Sequence, residues 1–237
     1  MLDFTMEVMG NRSQIHPTLV RDGDSLVLID AGVPGQLAEI EKAAEEAGGS
    51  IEDIKKVILT HQDIDHIGSM PALIQRLGGN VEVYAHELDK PYIEGDKPMI
   101  KMNPERMKNM LSSMPEETRK QMEQLMANPP KAKVDHTVSD GEVLPFAGGL
   151  TVIFTPGHTP GHISLYHDDS KTLITGDAIV AKDGKIVGLN EQATPDMETA
   201  LKSLERFDNY DIDQAICYHG GLCKGDINEQ IKQCRND

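Results

Sequence analysis

Positive charge is scarce in this sequence: 23 lysines and arginines stand against 39 aspartates and glutamates, for a formal net charge of −16. Such a field repels a phosphate backbone, so nucleic acid is not expected as substrate or partner. Cysteine is scarce too. Cys217, Cys223 and Cys234 all lie near the C-terminus, and an odd number without regular spacing argues against a disulfide framework and suits a reducing cytosol. No apolar run approaches the roughly 18 residues of a membrane span. The N-terminal MLDFTMEVMG has no basic stretch leading into an apolar one, so neither a membrane partner nor a secretory signal is expected. No G-x-S-x-G nucleophile motif occurs, so covalent catalysis by that route is not needed. These absences point to a cytoplasmic protein, and 237 residues suit one sizeable α/β domain spanning 1–237.

The pattern of apolar residues predicts strands at 4–8, 15–20 and 26–29, the last two joined by the turn Arg21-Asp22-Gly23-Asp24. A helix is expected from Gly35 to Ala47, stopped by Gly48 and Gly49. Val57-Ile58-Leu59 reads as a buried strand, followed by a helix over 71–77 and a strand at 81–84. The second half repeats the scheme with strands at 150–154, 163–166, 172–175 and 185–189. A helix capped by Thr194, with Pro195 at its first position, should run to about Phe207. The last helix opens on Asp226 and Glu229, a capping-box spacing. Strands followed by helices, twice over, favour two packed sheets with helices outside.

Residues 91–133 break this pattern. They carry almost no strand signal and hold seven of the 12 methionines. Met107, Met110, Leu111 and Met114 fall at helical spacing, as do Met122, Leu125 and Met126, and Pro104 and Pro115 stand where first turns would begin. The segment reads as a helical hairpin inserted in the domain. Its methionine-rich face either packs on the domain, covers a substrate pocket or forms a homodimer surface, because thioether side chains conform to irregular apolar shapes.

Four clusters carry chemistry. His61-Gln62-Asp63-Ile64-Asp65-His66 packs four potential ligands into six residues directly after the expected strand at 57–59. A turn at a strand end can aim several side chains at one point, which regular helix or strand geometry cannot do at this spacing. Thr155-Pro156-Gly157-His158-Thr159-Pro160-Gly161-His162 sets His158 in a stiff turn, with His162 as a weaker ligand candidate. Thr175-Gly176-Asp177 puts a carboxylate just past an apolar strand, and Tyr218-His219-Gly220-Gly221 repeats the arrangement with a histidine. His16, His86, His136 and His167 read as structural or exposed, although His16, next to Pro17, is placed to line a pocket rim.

In this order, from Asp30 in LVLIDAG to His219, the clusters resemble the metallo-β-lactamase superfamily. The resemblance implies a four-layer αββα sandwich with a two-metal site along one edge of the sheets. It implies that His61, Asp63 and His158 hold a first divalent ion, that Asp65, His66 and His219 hold a second, and that Asp177 bridges them. Asp30 would brace the site from behind, and Asp65 would take a proton and return it to the leaving group. The implied reaction is attack of a metal-bridging hydroxide on a carbonyl.

One residue departs from the family, which usually has histidine where this chain has Asp63. Two divalent ions, three carboxylates and a bridging hydroxide then sum to zero charge, one unit less than in the usual site. The ions should be weaker Lewis acids. Zinc is the expected metal, with iron or manganese as alternatives at the site containing Asp63, since an oxygen ligand favours harder ions. Among substrates, β-lactams are disfavoured because such enzymes are usually exported. Glutathione thioesters are disfavoured because only 18 residues follow His219, too few for the helical domain that binds glutathione. A small ester or lactone remains the leading candidate, although Ala178-Ile179-Val180 lacks the tyrosine usual in lactonases. The alternatives are a thioester hydrolase and a non-haem iron redox enzyme resembling sulfur dioxygenases.

Overall fold

The computed structural model describes residues 1–8, 11–102, 108, 111–112 and 114–236. A hairpin of β1 (Phe4–Val8) and β2 (Asn11–Ile15) opens the chain. The first large sheet has five strands, in the order β3 (Thr18–Asp22), β4 (Ser25–Ile29), β5 (Ile54–Ile58), β6 (Glu82–His86) and β7 (His136–Val138). β3 and β4 form an antiparallel hairpin, and the pairs from β4 to β7 are parallel. The second sheet has six: β8 (Val143–Leu144), β9 (Leu150–Phe154), β10 (Ile163–His167), β11 (Thr172–Ile174), β14 (Gln214–Cys217) and β15 (Gly221–Lys224), adjacent in that order. A small hairpin, β12 (Val180–Lys182) with β13 (Lys185–Gly188), lies between β11 and β14 in the chain.

The two-residue alternation of side chains across a strand decides the layering. In β4, Val27 and Ile29 face a core shared with Ile58, Leu150, Val152, Ile163, Leu165, Ile174 and Ile216, which come from both sheets. Leu26 and Leu28, one residue out of phase, join Ile40 and Ala44 of the helix Leu37–Glu46 and Met70 and Leu73 of the helix Met70–Arg76. The second sheet behaves alike. Ile153, Ala215 and Cys217 turn outward onto Leu204, Phe207, Ile227 and Ile231 at the C-terminal end of the chain. Both sheets are thus covered on both faces, giving the four-layer αββα sandwich, and no described helix is long and apolar enough to cross a membrane.

The structure corrects several expectations. The strand expected over 15–20 is broken into β2 and β3, since Pro17 has no N–H for a ladder. The expected helix beginning at Thr194 starts later: Asp196 caps Met197–Ser203 by accepting from the Thr199 N–H, and the chain continues as a 3₁₀ turn, Leu204–Asn209. Of the inserted hairpin, the helix Glu116–Ala127 is present with Pro115 at its cap position. Met107, Met110 and Pro104 lie outside the described residues.

Leu165 is fully buried between the sheets. Leu165→Ala is expected to cost about 2–5 kcal/mol. Urea denaturation followed by circular dichroism should show the loss in a single transition if the chain folds as one domain.

Candidate metal centre

The strand directions bring the four clusters to one place. β10 runs antiparallel to both β9 and β11, and β11 runs parallel to β14, so β9, β11 and β14 all point the same way. His158, Asp177 and His219 follow the C-terminal ends of those three strands, and His61 to His66 follow the C-terminal end of β5 in the other sheet. Within that first cluster the chain passes from loop to helix. Asp63 accepts the His66 and Ile67 N–H groups through its backbone carbonyl, as the cap of the short helix Ile64–Ile67. His61 and Asp63 therefore project from the loop, while Asp65 and His66 project from the first turn. This change of local geometry lets six consecutive residues serve two neighbouring points.

Two groups of donors result. His61, Asp63, His158 and Asp177 form one and Asp65, His66, Asp177 and His219 the other, with the donor atoms of each group within 4.8 Å of one another. Asp177 belongs to both: its Oδ2 lies 3.2 Å from His158 Nε2 and 3.3 Å from His219 Nε2, and its Oδ1 lies 3.2 Å from His66 Nε2. His219 Nε2 is also 3.2 Å from Asp65 Oδ2, and Asp63 Oδ2 is 3.1 Å from His158 Nε2. His61 Nε2, His66 Nε2 and Asp177 Oδ1 are buried without a hydrogen-bond partner among the described residues. Leaving such atoms unpaired in a protein interior is costly. Three of them facing the same few ångströms, beside further imidazole and carboxylate donors, fit a centre for divalent ions.

The far sides of His61 and His66 are held. Asp30, buried and at a left-handed φ of 60°, accepts from His66 Nδ1 at 2.8 Å, and from the Thr60 hydroxyl and Thr60 N–H at 2.8 Å. The Thr60 hydroxyl, donating to Asp30, accepts in turn from His61 Nδ1 at 3.0 Å. Both rings are thereby left with Nε2 facing the centre, the usual way a carboxylate orients a ligating histidine. His162 belongs to neither donor group. Its Nδ1 meets the Thr155 hydroxyl and its Nε2 accepts the Asp177 N–H at 3.0 Å, so it positions the Asp177 turn. Burial and the neighbouring His61 and His158 keep His162 well below the usual histidine range, as that acceptor role requires. His16 bonds Leu2 O and Asp3 through Nδ1, and its ring lies beside Gly221. His86 stacks on Phe154. At Gly220, with φ 108°, a Cβ would collide with the Ala181 carbonyl oxygen, so the turn carrying His219 admits only glycine there.

Charge at the centre is collective. Burial alone would depress His66, but Asp30, Asp177 and Asp65 hold it well above the ordinary histidine value. Burial also opposes charge on His219, yet Asp177 and Asp65 raise it to about 10. His158 is raised against its burial by Asp177 and Asp63. Burial would raise the carboxyls too, but the imidazoles around them, His61 foremost for Asp63 and His219 for Asp177, keep both well below the usual carboxylate range.

Three participants escape a sequence reading. Tyr218 stacks on the His66 ring at 3.7 Å, and its hydroxyl donates to the Asp65 carbonyl, so it stiffens the second donor group. Lys101, from the 3₁₀ turn Ile100–Met102, donates to Asp63 Oδ2. Asp89 is a buried hub between the loops: it accepts from Gln62 N–H at 3.0 Å, the Gln62 amide at 3.3 Å, the Thr159 hydroxyl at 2.7 Å and Gly161 N–H at 2.7 Å. Only the glutamine beside His61 and the threonine beside His158 hint at it, because a lone Asp89 has no motif. Asp89→Asn would turn an N–H₂ toward donors, and should lower stability by about 1–3 kcal/mol and loosen His61 and His158 together. Chemical denaturation and zinc retention after desalting would both fall, and unchanged retention would remove the hub from the site.

Comparison with known proteins agrees with this geometry. The family model of the metallo-beta-lactamase superfamily matches residues 10–219. The probable metallo-hydrolase YflN of Bacillus subtilis strain 168 is 30% identical over 207 residues, covering 83% of this chain and 75% of YflN. Of three further Bacillus subtilis relatives the chain spans 62–64% of their length. Among solved structures, the metallo-beta-lactamase family protein TTHA1429 from Thermus thermophilus has a TM-score of 0.71 at 24% identity, covering 99% of this chain and 77% of its own. TTHA1623, solved in a di-iron-bound form, has a TM-score of 0.66 at 22% identity, covering 98% of both chains. These two share the fold. With the match spanning most of the chain and all four clusters, the protein belongs to the metallo-beta-lactamase superfamily.

Proposed function

We propose that this metallo-hydrolase cleaves a small ester or lactone, with His61, Asp63, His158 and Asp177 holding one divalent ion and Asp65, His66, His219 and Asp177 a second. The observation that carries the reading is the pair of donor groups sharing Asp177 at the floor of a cavity of about 420 Å³, which also presents Met99, Met102, Asn190 and Ala193. Ions held there would supply Lewis acidity and a water acidic enough to attack near neutral pH. The chain's own residues do the rest. Asp65, at the cavity floor beside His219, is placed to carry a proton between the attacking water and the leaving oxygen. Asp30, Thr60 and Tyr218 hold the imidazoles in the orientation the chemistry needs.

A second cavity, of about 630 Å³, adjoins the first and shares Ile64 and Asp65 with it. Its walls include Met6, Val33, Met114, Met122 and Leu125, so the methionine-rich insertion does face the neighbourhood of the centre. An apolar substituent on the ester fits that wall, since unbranched thioether side chains adapt to flexible chains. The carboxylate Asp63 in the first donor group, together with a structural neighbour that binds two iron ions, supports iron as an alternative occupant. Metal content of protein purified without added metal separates these readings. Zinc or manganese would support hydrolysis, and iron with thiol-dependent oxygen consumption would replace it by redox chemistry.

With zinc supplied, an ester and lactone panel should show hydrolysis that a chelator abolishes, and His66→Ala should lower kcat/KM by more than about 100-fold. Activity unaffected by both would overturn the assignment. Against their burial, Asp177 and Asp65 raise His219 to about 10, and Asp30, Asp177 and Asp65 hold His66 well above its ordinary value, so the metal-free centre keeps protons near neutral pH. Zinc must displace them, so binding should release protons and tighten as pH rises toward about 10, the value for His219. Titration calorimetry in buffers of different ionisation enthalpy would show this, and a buffer-independent heat would contradict it.

A further inference from the structure

Among the described residues, Lys101 is the one cationic side chain that enters the centre without belonging to either donor group. Its ammonium donates to Asp63 Oδ2 and approaches His158 Nε2, both donors of the first group, and its side chain is only 18% exposed. The segment bearing it is latched to the same loop that carries those donors. The Ile100 N–H donates to the Gln62 side chain at 3.0 Å, and Gln62 in turn is tied to Asp89. On either side, Met99 is buried in the core beneath the first sheet and Met102 packs against it. The lysine is therefore anchored at its backbone and free only along its four-carbon stem, which is what lets an ammonium advance or withdraw.

A divalent ion in the first group has to use the same Asp63 oxygen and the same His158 lone pair. An imidazole nitrogen has one lone pair, and two cations at one carboxylate oxygen repel strongly in a poorly hydrated site. Among the described residues, no comparable lysine contact is made by Asp65, His66 or His219. We propose that Lys101 is a tethered cation of the first donor group, satisfying Asp63 in place of a metal ion, so that this group takes up its ion only by displacing the ammonium. The second group binds without that competitor. The inference rests on the metal-centre reading above and explains its departure from the family. An aspartate where histidine is usual needs a counter-charge whenever no ion is bound, since an unpaired buried carboxylate is costly. One divalent ion, one ammonium and three carboxylates sum to zero, the same balance that two ions reach with a bridging hydroxide.

The test is metal stoichiometry in the full-length chain, read by elemental analysis after desalting and by calorimetric titration of the chelator-treated protein with zinc. Wild type should retain one ion and bind the second more weakly. Lys101→Met should retain two, with the weaker Kd tightened about tenfold or more, and Lys101→Arg should return to one. Adding His61→Ala to Lys101→Met should abolish the gain, which assigns it to the first group. Thermal melting checks that the variants fold. Two equal ions in both wild type and Lys101→Met, or a Lys101→Met variant that still retains one, would overturn the role of the lysine and leave the metal centre standing. Zinc binding to neither would overturn both.

Discussion

Three carboxylates and four imidazoles are held within a few ångströms at the edge of two sheets, where Asp63, Asp177, His61, His66 and His158 are all buried. Like charges so close, and so poorly hydrated, repel one another strongly, and most of the local structure can be understood as resistance to that repulsion. Asp30 and Thr60 grip His66 and His61 from behind. Asp89 ties the loop after β5 to the loop after β9. Tyr218 braces the turn carrying Asp65. Each brace costs buried polar surface, and each is saturated with hydrogen bonds, which is the condition under which burying it is tolerable.

The sandwich makes this concentration possible because it separates stability from chemistry. The apolar residues of β4, β5, β9, β10 and β14 fill the layers between and outside the sheets, while no donor of the centre lies within a strand. The donors sit on turns just past strand ends. Such turns can take unusual backbone conformations, such as the left-handed Asp30 and the glycine-only position at Gly220. The rigid sheets then set the distance between turns to within the tolerance that a shared carboxylate, Asp177, requires.

Around the centre the chain builds two adjoining cavities. One holds donors of the centre with Lys101 and Asn190 beside Met99 and Met102, and the other is walled by methionines and leucine from the insertion and the N-terminal hairpin. They meet at Ile64 and Asp65. The proposed ester, with a polar reacting group and an apolar remainder, would meet both cavities, and the net charge of −16 would work against a long polyanion. The pairing of Lys101 with Asp63 adds to the centre a positive charge that is attached to the chain.

What the sequence determined by itself was a set of candidate donors and the layering. His61, Asp63, Asp65, His66, His158, Asp177 and His219 stand out because each cluster follows an apolar run and their order along the chain resembles the superfamily. The sandwich is legible because strand-length apolar runs alternate with helical periodicity. The N-terminal and C-terminal limits of β9 and the start of β10 can be read directly from that alternation. Local rules failed where a neighbour in space prevailed. Thr194 is a good cap by composition, but it lies against His158 Nδ1 at 3.4 Å while Asp196 takes the helix. Asp89 and Lys101 carry no motif, and Tyr218 stands in the last cluster without a sign of its role, because these roles come from partners 27 to 153 residues away in the chain. Only the tertiary structure decided which groups brace the donors and which cation faces Asp63, since hydrogen bonds and charge pairs depend on distance in space and leave no periodic trace along the chain.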